Sequence, residues 1–343
     1  MGFLSKLFGS KPAPSPADQL LIAAPAVGKP TEAQLIPGKY FVRAHAHSLE
    51  GSPDTFVTLV SHGLTAVRQR EILFTLLTRP GDPIEAHLKE LTLFLAQVGT
   101  WAFEGKLVDA GGFTQFGARG LLGQSKNGIM YVDAGPIPGV EIPPRALAAL
   151  IVDENEIALA TTGLSARVLA RRGEDHRHYP FPLWNDLARK AAPAEGNASV
   201  LTKLPRGRIA GISTLFEANR LRVTIDAEGR AGLREAFGKK LLAPPFAFLT
   251  TPSPAANARF VWRPGQAQPA AITPPGSDGS RLTGVFLIVS GECDHDEVRF
   301  MEDGHALLLT TPSLEAFWKA LEQQHPFSLP QARGMTFELE WPA

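Results

Sequence analysis

Thr55-Phe56-Val57-Thr58-Leu59-Val60, then His62-Gly63, then Glu71-Ile72-Leu73-Phe74-Thr75-Leu76-Leu77 is the stretch on which the fold turns. Both apolar runs are rich in β-branched and aromatic side chains, which suit a pleated surface, so both are expected as strands. A short Gly-containing connection between them predicts an antiparallel pair. Upstream, residues 40–47 alternate bulky and small side chains and predict a neighbouring strand. Downstream, Arg79-Pro80-Gly81-Asp82-Pro83 closes the second strand and a helix is expected over 84–98. Leu88, Leu91, Leu95 and Val98 recur on one face, Asp82 reads as the N-cap with Pro83 first in the helix, and Gly99 reads as the stop.

Further along, residues 128–132 and 146–152 predict strands, and a helical stretch is expected from about Ile157. The chain then repeats the mixture. A half-buried strand is expected over 220–225, a helix over 230–242 through Leu233, Phe237 and Leu241, and a loop over 264–280. Strands over 282–289, 298–301 and 306–310 follow, the last two joined by an Asp-Gly hairpin turn at Glu302-Asp303-Gly304-His305. Thr311-Pro312 opens a helix through Leu314, Phe317, Trp318 and Leu321, and residues 335–341 form a last strand. The class is α+β, with two mixed, mainly antiparallel sheet-and-helix domains. The expected boundaries are a flexible leader at 1–18, a first domain at 19–190, a small-residue polar linker at 191–203 and a second domain at 204–343.

Composition narrows the function. In 343 residues, 44% are hydrophobic and 20% charged, as in a chain with a real core. Lys plus Arg and Asp plus Glu are 34 each. A nucleic-acid partner is not expected from that balance, because phosphate binding draws on a basic excess. Cys293 is the single cysteine, which excludes an intramolecular disulfide and fits a reducing, cytoplasmic compartment. No apolar run reaches the ~20 residues of a membrane span. Phe3, Leu4, Leu7 and Phe8 lie at helical spacing, a weak peripheral-membrane signal before a Pro-rich stretch.

Candidate sites are few. His45 and His47 alternate on a strand, which puts both rings on one face where a metal-assisted hydrolase would use them. With no co-ligands in view, neither a metal nor another cofactor is expected. His176 and His178 stand beside Glu174 and Asp175, and His295 stands among Asp294, Asp296 and Glu297; both read as charged turns. Gly111-Gly112 and Gly117, Gly120 and Gly123 are too loosely spaced for a nucleotide loop, and neither a nucleophile elbow nor a phosphate loop is present. Tyr179, Phe181 and Trp184, stiffened by Pro180 and Pro182, make the expected protein-binding ridge.

The stretch from Thr55 to Thr65, followed by Arg70-Glu71-Ile72-Leu73-Phe74-Thr75-Leu76, resembles the suppressor of fused family. The shared features are an aromatic-containing strand, a Gly-Leu-Thr turn and a Glu that starts the next strand. The helix over 88–98 and Phe103-Glu104-Gly105 extend the likeness, which runs to about Arg189. The resemblance implies a mixed α/β domain without catalysis, since animal members clamp a short peptide of a transcription factor and bacterial relatives are regarded as toxin-neutralising immunity proteins. A non-catalytic intracellular module that binds another protein, as adaptor or immunity protein, is therefore expected.

Overall fold

The structure is a computed structural model and describes residues 25–48, 53–117, 120–122, 128–137, 139–195, 198–238, 245–330, 332 and 335–341. The expected leader, its Phe3, Leu4, Leu7 and Phe8, and also Gly123 and Leu241 lie outside the described residues. The fold is α+β with two mixed sheets. Contacts divide the chain into two compact units, residues up to Glu154 with Leu183–Lys190, and Asn155–Pro182 with Ala191–Ala343. The division differs from the single expected boundary, because residues 155–182 pack with the second unit.

In the first unit the strands are β1 (Thr31–Ile36), β2 (Tyr40–Ser48), β3 (Thr55–His62), β4 (Ile72–Thr78), β5 (Phe113–Gln115), β6 (Gly128–Asp133), β7 (Leu147–Val152) and β8 (Asn185–Asp186). They form one sheet in the order β1-β2-β3-β4-β7-β6-β5, with β8 on β4. The β3–β4 pair is antiparallel as expected. The turn between them is held by Glu71, whose carboxylate accepts from Ser61 Oγ, Gly63 N and Thr65 N at 2.6, 2.9 and 3.1 Å. Gly63 is required there: its φ is 108°, and a Cβ would sit 2.1 Å from the Lys39 carbonyl oxygen.

Helix α1 (Ile84–Phe103) buries Leu88, Leu91, Leu95, Val98 and Ala102 against Tyr40, Val42, Leu59 and Phe74 of the sheet. Two of its expected signals act differently. Asp82 does not cap it; its carboxylate instead accepts from Arg79 N at 2.7 Å. Gly99 does not stop it, and the helix runs on to Phe103. Gly99 is where the helix crosses the Tyr40 ring: a Cβ would lie 2.3 Å from Tyr40 Cε1, while the Tyr40 hydroxyl donates to the Leu95 carbonyl at 2.9 Å. Gly99→Ala is therefore expected to lower stability by about 1–3 kcal/mol through overpacking, despite the ~1 kcal/mol that Ala gains over Gly in a helix. Urea unfolding of the variant checks the sign.

β8 is a wedge. β7 pairs with β4 at Ile72 and Leu73, whereas β8 pairs with it at Leu76 and Leu77. Buried Asn185 closes the gap, its Oδ1 accepting from Ile151 N at 2.7 Å and its Nδ2 donating to the Thr75 and Ala149 carbonyls at 3.1 and 3.0 Å.

In the second unit the strands are β9 (Arg206–Glu217), β10 (Arg220–Ile225), β11 (Phe246–Pro252), β12 (Ala258–Val261), β13 (Ala270–Ile272), β14 (Leu282–Thr283), β15 (Phe286–Ser290), β16 (Glu297–Met301), β17 (Gly304–Leu308), β18 (Phe327–Leu329) and β19 (Thr336–Glu340). Their order is β13-β12-β14-β9-β11-β15-β17-β16, and β10 links β9 to β19, which pairs with β18. The helices are α2 (Glu154–Leu159), α3 (Ser165–His176), α4 (Ala227–Gly238) and α5 (Thr311–Gln323). Phe317 and Leu321 of α5 join Phe248, Leu287, Val289, Leu307 and Phe337 in the core. The expected strand over 282–289 is broken at Gly284, whose N–H turns to Thr214 Oγ1 at 3.0 Å. The expected loop over 264–280 carries β13.

The hairpin turn also sits one residue earlier than the Asp-Gly reading. Met301 pairs with Gly304, so Glu302 and Asp303 form the tip, with Glu302 at φ 53°. Tertiary bonds hold that left-handed residue. Glu302 accepts from Ser199 Oγ at 2.7 Å, from Arg167 Nη2 at 2.8 Å and from Val200 N. Fully buried Arg167 of α3 grips fully buried Asp303 through Nε and Nη2 at 2.9 and 2.5 Å, and its Nη1 meets Glu195. Burial opposes the charge on Arg167, but these three carboxylates hold its guanidinium above its ordinary value.

The described residues of the expected linker thus include buried anchors, Glu195, Ser199 and Leu201, and do not behave as a free connection. Ser199 donates to Glu302 and accepts from Arg167, which ties this segment to the hairpin tip. Limited proteolysis of the native protein is expected to spare residues 198–203. Rapid cutting there, before other loops, would contradict the network.

Candidate functional site

A cleft of about 650 Å³ lies in the first unit. Its floor follows from strand alternation. Arg43, His45 and His47 are on one half-exposed face of β2, while Val42 and Ala44 point into the core. One wall is the segment Val27 to Pro30, and Gly139 and Glu141 contribute to the other. A Cβ on Gly139 would lie 3.5 Å from His47 Nδ1, so the glycine lets the loop approach the ring. The cleft also lies along a sheet edge. β1 covers β2 up to Ala44, and beyond it the described neighbour of that edge is a single bridge from Val27 to Ala46.

Charge in the cleft is lopsided. Lys29 and Arg43 face the single carboxylate of Glu141. Arg43 also meets Glu32 at 3.1 Å, and both are about a third exposed, so the pair is screened and exchangeable. Burial, the neighbouring His47 and Arg43 lower the His45 pKa, and burial lowers that of His47. Both imidazoles are therefore neutral at pH 7 and gain charge on acidification.

The structure brings His45 and His47 together, with rings 6.2 Å apart and within 15° of parallel. It adds His62, stacked on Phe41 at 4.7 Å on the next strand. Cross-strand register places His62 there, since Phe41 pairs with His62, and a sequence scan limited to near neighbours passes over it. Among the described residues no group of three or more His, Cys, Asp or Glu side chains is placed to hold a metal.

The other candidates separate. Glu174 and Asp175 are gripped by Arg263 at 2.6 and 3.4 Å, at the end of α3 beside His176 and His178. Asp296 secures the start of α5, accepting from Thr310 N at 2.8 Å and Ser313 Oγ at 2.6 Å. Burial works against its charge, but these bonds hold its carboxyl below the usual range. His295 meets Glu297 at 3.4 Å, and half-buried Cys293 turns its sulfur toward the Gly291 carbonyl. Gly111 and Gly112 exchange backbone bonds with Tyr131, a structural turn.

Tyr179, Phe181 and Trp184 are all half-buried. Tyr179 donates to the Ser253 carbonyl at 2.7 Å, and Trp184 packs on Phe56 with ring centres 5.2 Å apart. Tyr179 and Phe181 belong to the second unit and Trp184 to the first. No described helix is long and apolar enough to cross a membrane. No protein-family model matches the chain, and no curated protein matches it.

Proposed function

We propose that this chain is a non-catalytic, intracellular protein-binding module whose partner enters the first unit's cleft as an extended, acidic segment. The observation that carries this reading is the stretch of the β2 edge beyond Ala44, which lies in the cleft itself and which, among the described residues, no strand pairs with beyond the single Val27–Ala46 bridge. An extended segment adds to such an edge through main-chain bonds, and side-chain pockets then select its sequence. The cations Lys29 and Arg43, with His45 and His47 beside them, favour Asp and Glu in that segment. The likeness of residues 55–76 to the suppressor of fused family, with its peptide-clamping members, supports the same reading, as does a single cysteine in 343 residues for a reducing compartment. An adaptor or toxin-neutralising role fits such a module, and Tyr179, Phe181 and Trp184 are proposed as additional partner contacts.

Peptide display against the purified protein tests it. Wild type is expected to enrich Asp- and Glu-rich sequences, and the double variant Lys29→Glu, Arg43→Glu is expected to lose them. Both side chains reach solvent, so the fold should survive the change. Because the cleft imidazoles are neutral at pH 7, lowering the pH below 6.5 adds positive charge and should tighten an acidic peptide. Enrichment indifferent to the charge reversal would overturn the reading.

A further inference from the structure

The second unit contains a small cavity beside an irregularity in its sheet. Leu249 of β11 pairs with Arg208, but Thr251 pairs with Ser213, so two steps on β11 answer five on β9. The extra residues bulge out of β9, a device that recurs next to binding sites. A cavity of about 60 Å³ opens there, lined among others by Ser165, Ala166, Arg208, Thr250, Thr251 and Arg259. Ser165 and Ala166 are the first residues of α3, which follows directly on a helical turn over Ala160–Leu164.

Arg259 decides what the cavity suits. It is 1% exposed, and its Nη2 donates to the Ala166 carbonyl at 3.3 Å. Its Nε and Nη1 are buried without a hydrogen-bond partner. No described carboxylate pairs with it, in contrast to Arg167, which holds Glu195, Glu302 and Asp303. Burial brings its pKa down to about 10, against the weaker opposing pull of Tyr179 and Asp303. A buried guanidinium without an ion-pair partner is destabilising, and an anion in the cavity would relieve that cost. Arg208, exposed on the same cavity, supplies a second cation. The volume is about twice the ~30 Å³ share of one water molecule, which admits a small free ion and not a nucleotide.

We propose that this cavity is an oxyanion site for inorganic phosphate, held by Arg259 from inside and Arg208 at the mouth. Bonds between guanidinium and phosphate oxygens are charge-assisted and geometrically matched.

The test titrates the full-length protein with inorganic phosphate, against chloride at equal ionic strength, by calorimetry and thermal unfolding. A saturable phosphate response that chloride does not reproduce is expected. Arg208→Ala should weaken phosphate by about tenfold, as loss of one charge-assisted contact would. Arg259→Met should abolish the response and leave the phosphate-free protein as stable or more so, because it removes an unpaired buried charge. If Arg259→Met does not fold, Arg208→Ala decides. An adventitious, chloride-equivalent effect, no saturable binding, or unchanged affinity in Arg208→Ala would each overturn the site.

Discussion

Arg167→Ala is expected to lower the stability of the second unit by about 3–5 kcal/mol, the cost of breaking a buried ion pair from one side. Arg167 is fully buried, and its loss would leave Asp303, also fully buried, beside Glu302 and Glu195 with no cation of the same reach. The ring of Trp262 lies 5.2 Å from its guanidinium carbon and would lose that contact as well. Arg171 sits 3.6 Å from Glu195 and does not replace it, since its own three nitrogens are buried without hydrogen-bond partners. Arg263→Ala is the control. Arg263 pairs with the partly exposed Glu174 and Asp175, and its loss should cost at most about 1 kcal/mol. Equal effects from the two substitutions, measured by denaturant unfolding, would show that the buried network does not hold the hairpin tip.

His305 should make the protein acid-sensitive. It is fully buried on β17, with both ring nitrogens unpaired. Phe300, Phe260 and Phe216 surround it at 5.3, 5.6 and 6.4 Å between ring centres. Burial lowers its pKa from 6.5 to about 3. The unfolded chain therefore takes up a proton below pH 6.5 while the folded chain does not until near pH 3. Stability is fully present above 6.5 and falls as the pH drops through that window. At pH 5 the loss is about 2 kcal/mol, from ~1.36 kcal/mol for each unit between pH and the unfolded value. His305→Leu should remove this dependence, so that its stability relative to wild type rises by about 2 kcal/mol between pH 7 and pH 5. Parallel pH profiles for the two proteins would place the acid sensitivity elsewhere.

Local pattern was enough for much of the fold. The β-branched runs of β3 and β4 and the three- and four-residue apolar spacing of α1 each report on one buried face, and each element formed as expected. Where local pattern misled, a distant partner decided. Gly99 reads as a helix stop, but the Tyr40 ring occupies the place of its side chain. Asp303-Gly304 reads as a turn pair, but Arg167 and Ser199 draw Glu302 and Asp303 into the tip. Arg167 and Arg171 of α3 are buried without any local signal, because the carboxylates that meet them, Glu195, Glu302 and Asp303, come from segments further along the chain. The cleft was half legible. Alternation gives His45 and His47 a common face, whereas Glu141, Lys29 and the open β2 edge emerge only from the pairing of strands.

Hydrogen exchange on the β2 amides, with and without a display-selected acidic peptide, tests the protein-binding claim most directly. Exchange over 45–48 should slow when the peptide is bound, because new main-chain bonds cover the amides that point away from β3, where the described contact is the single Val27–Ala46 bridge. The slowing should vanish in Lys29→Glu, Arg43→Glu. Protection confined to other surfaces, with residues 45–48 unchanged, would contradict the account.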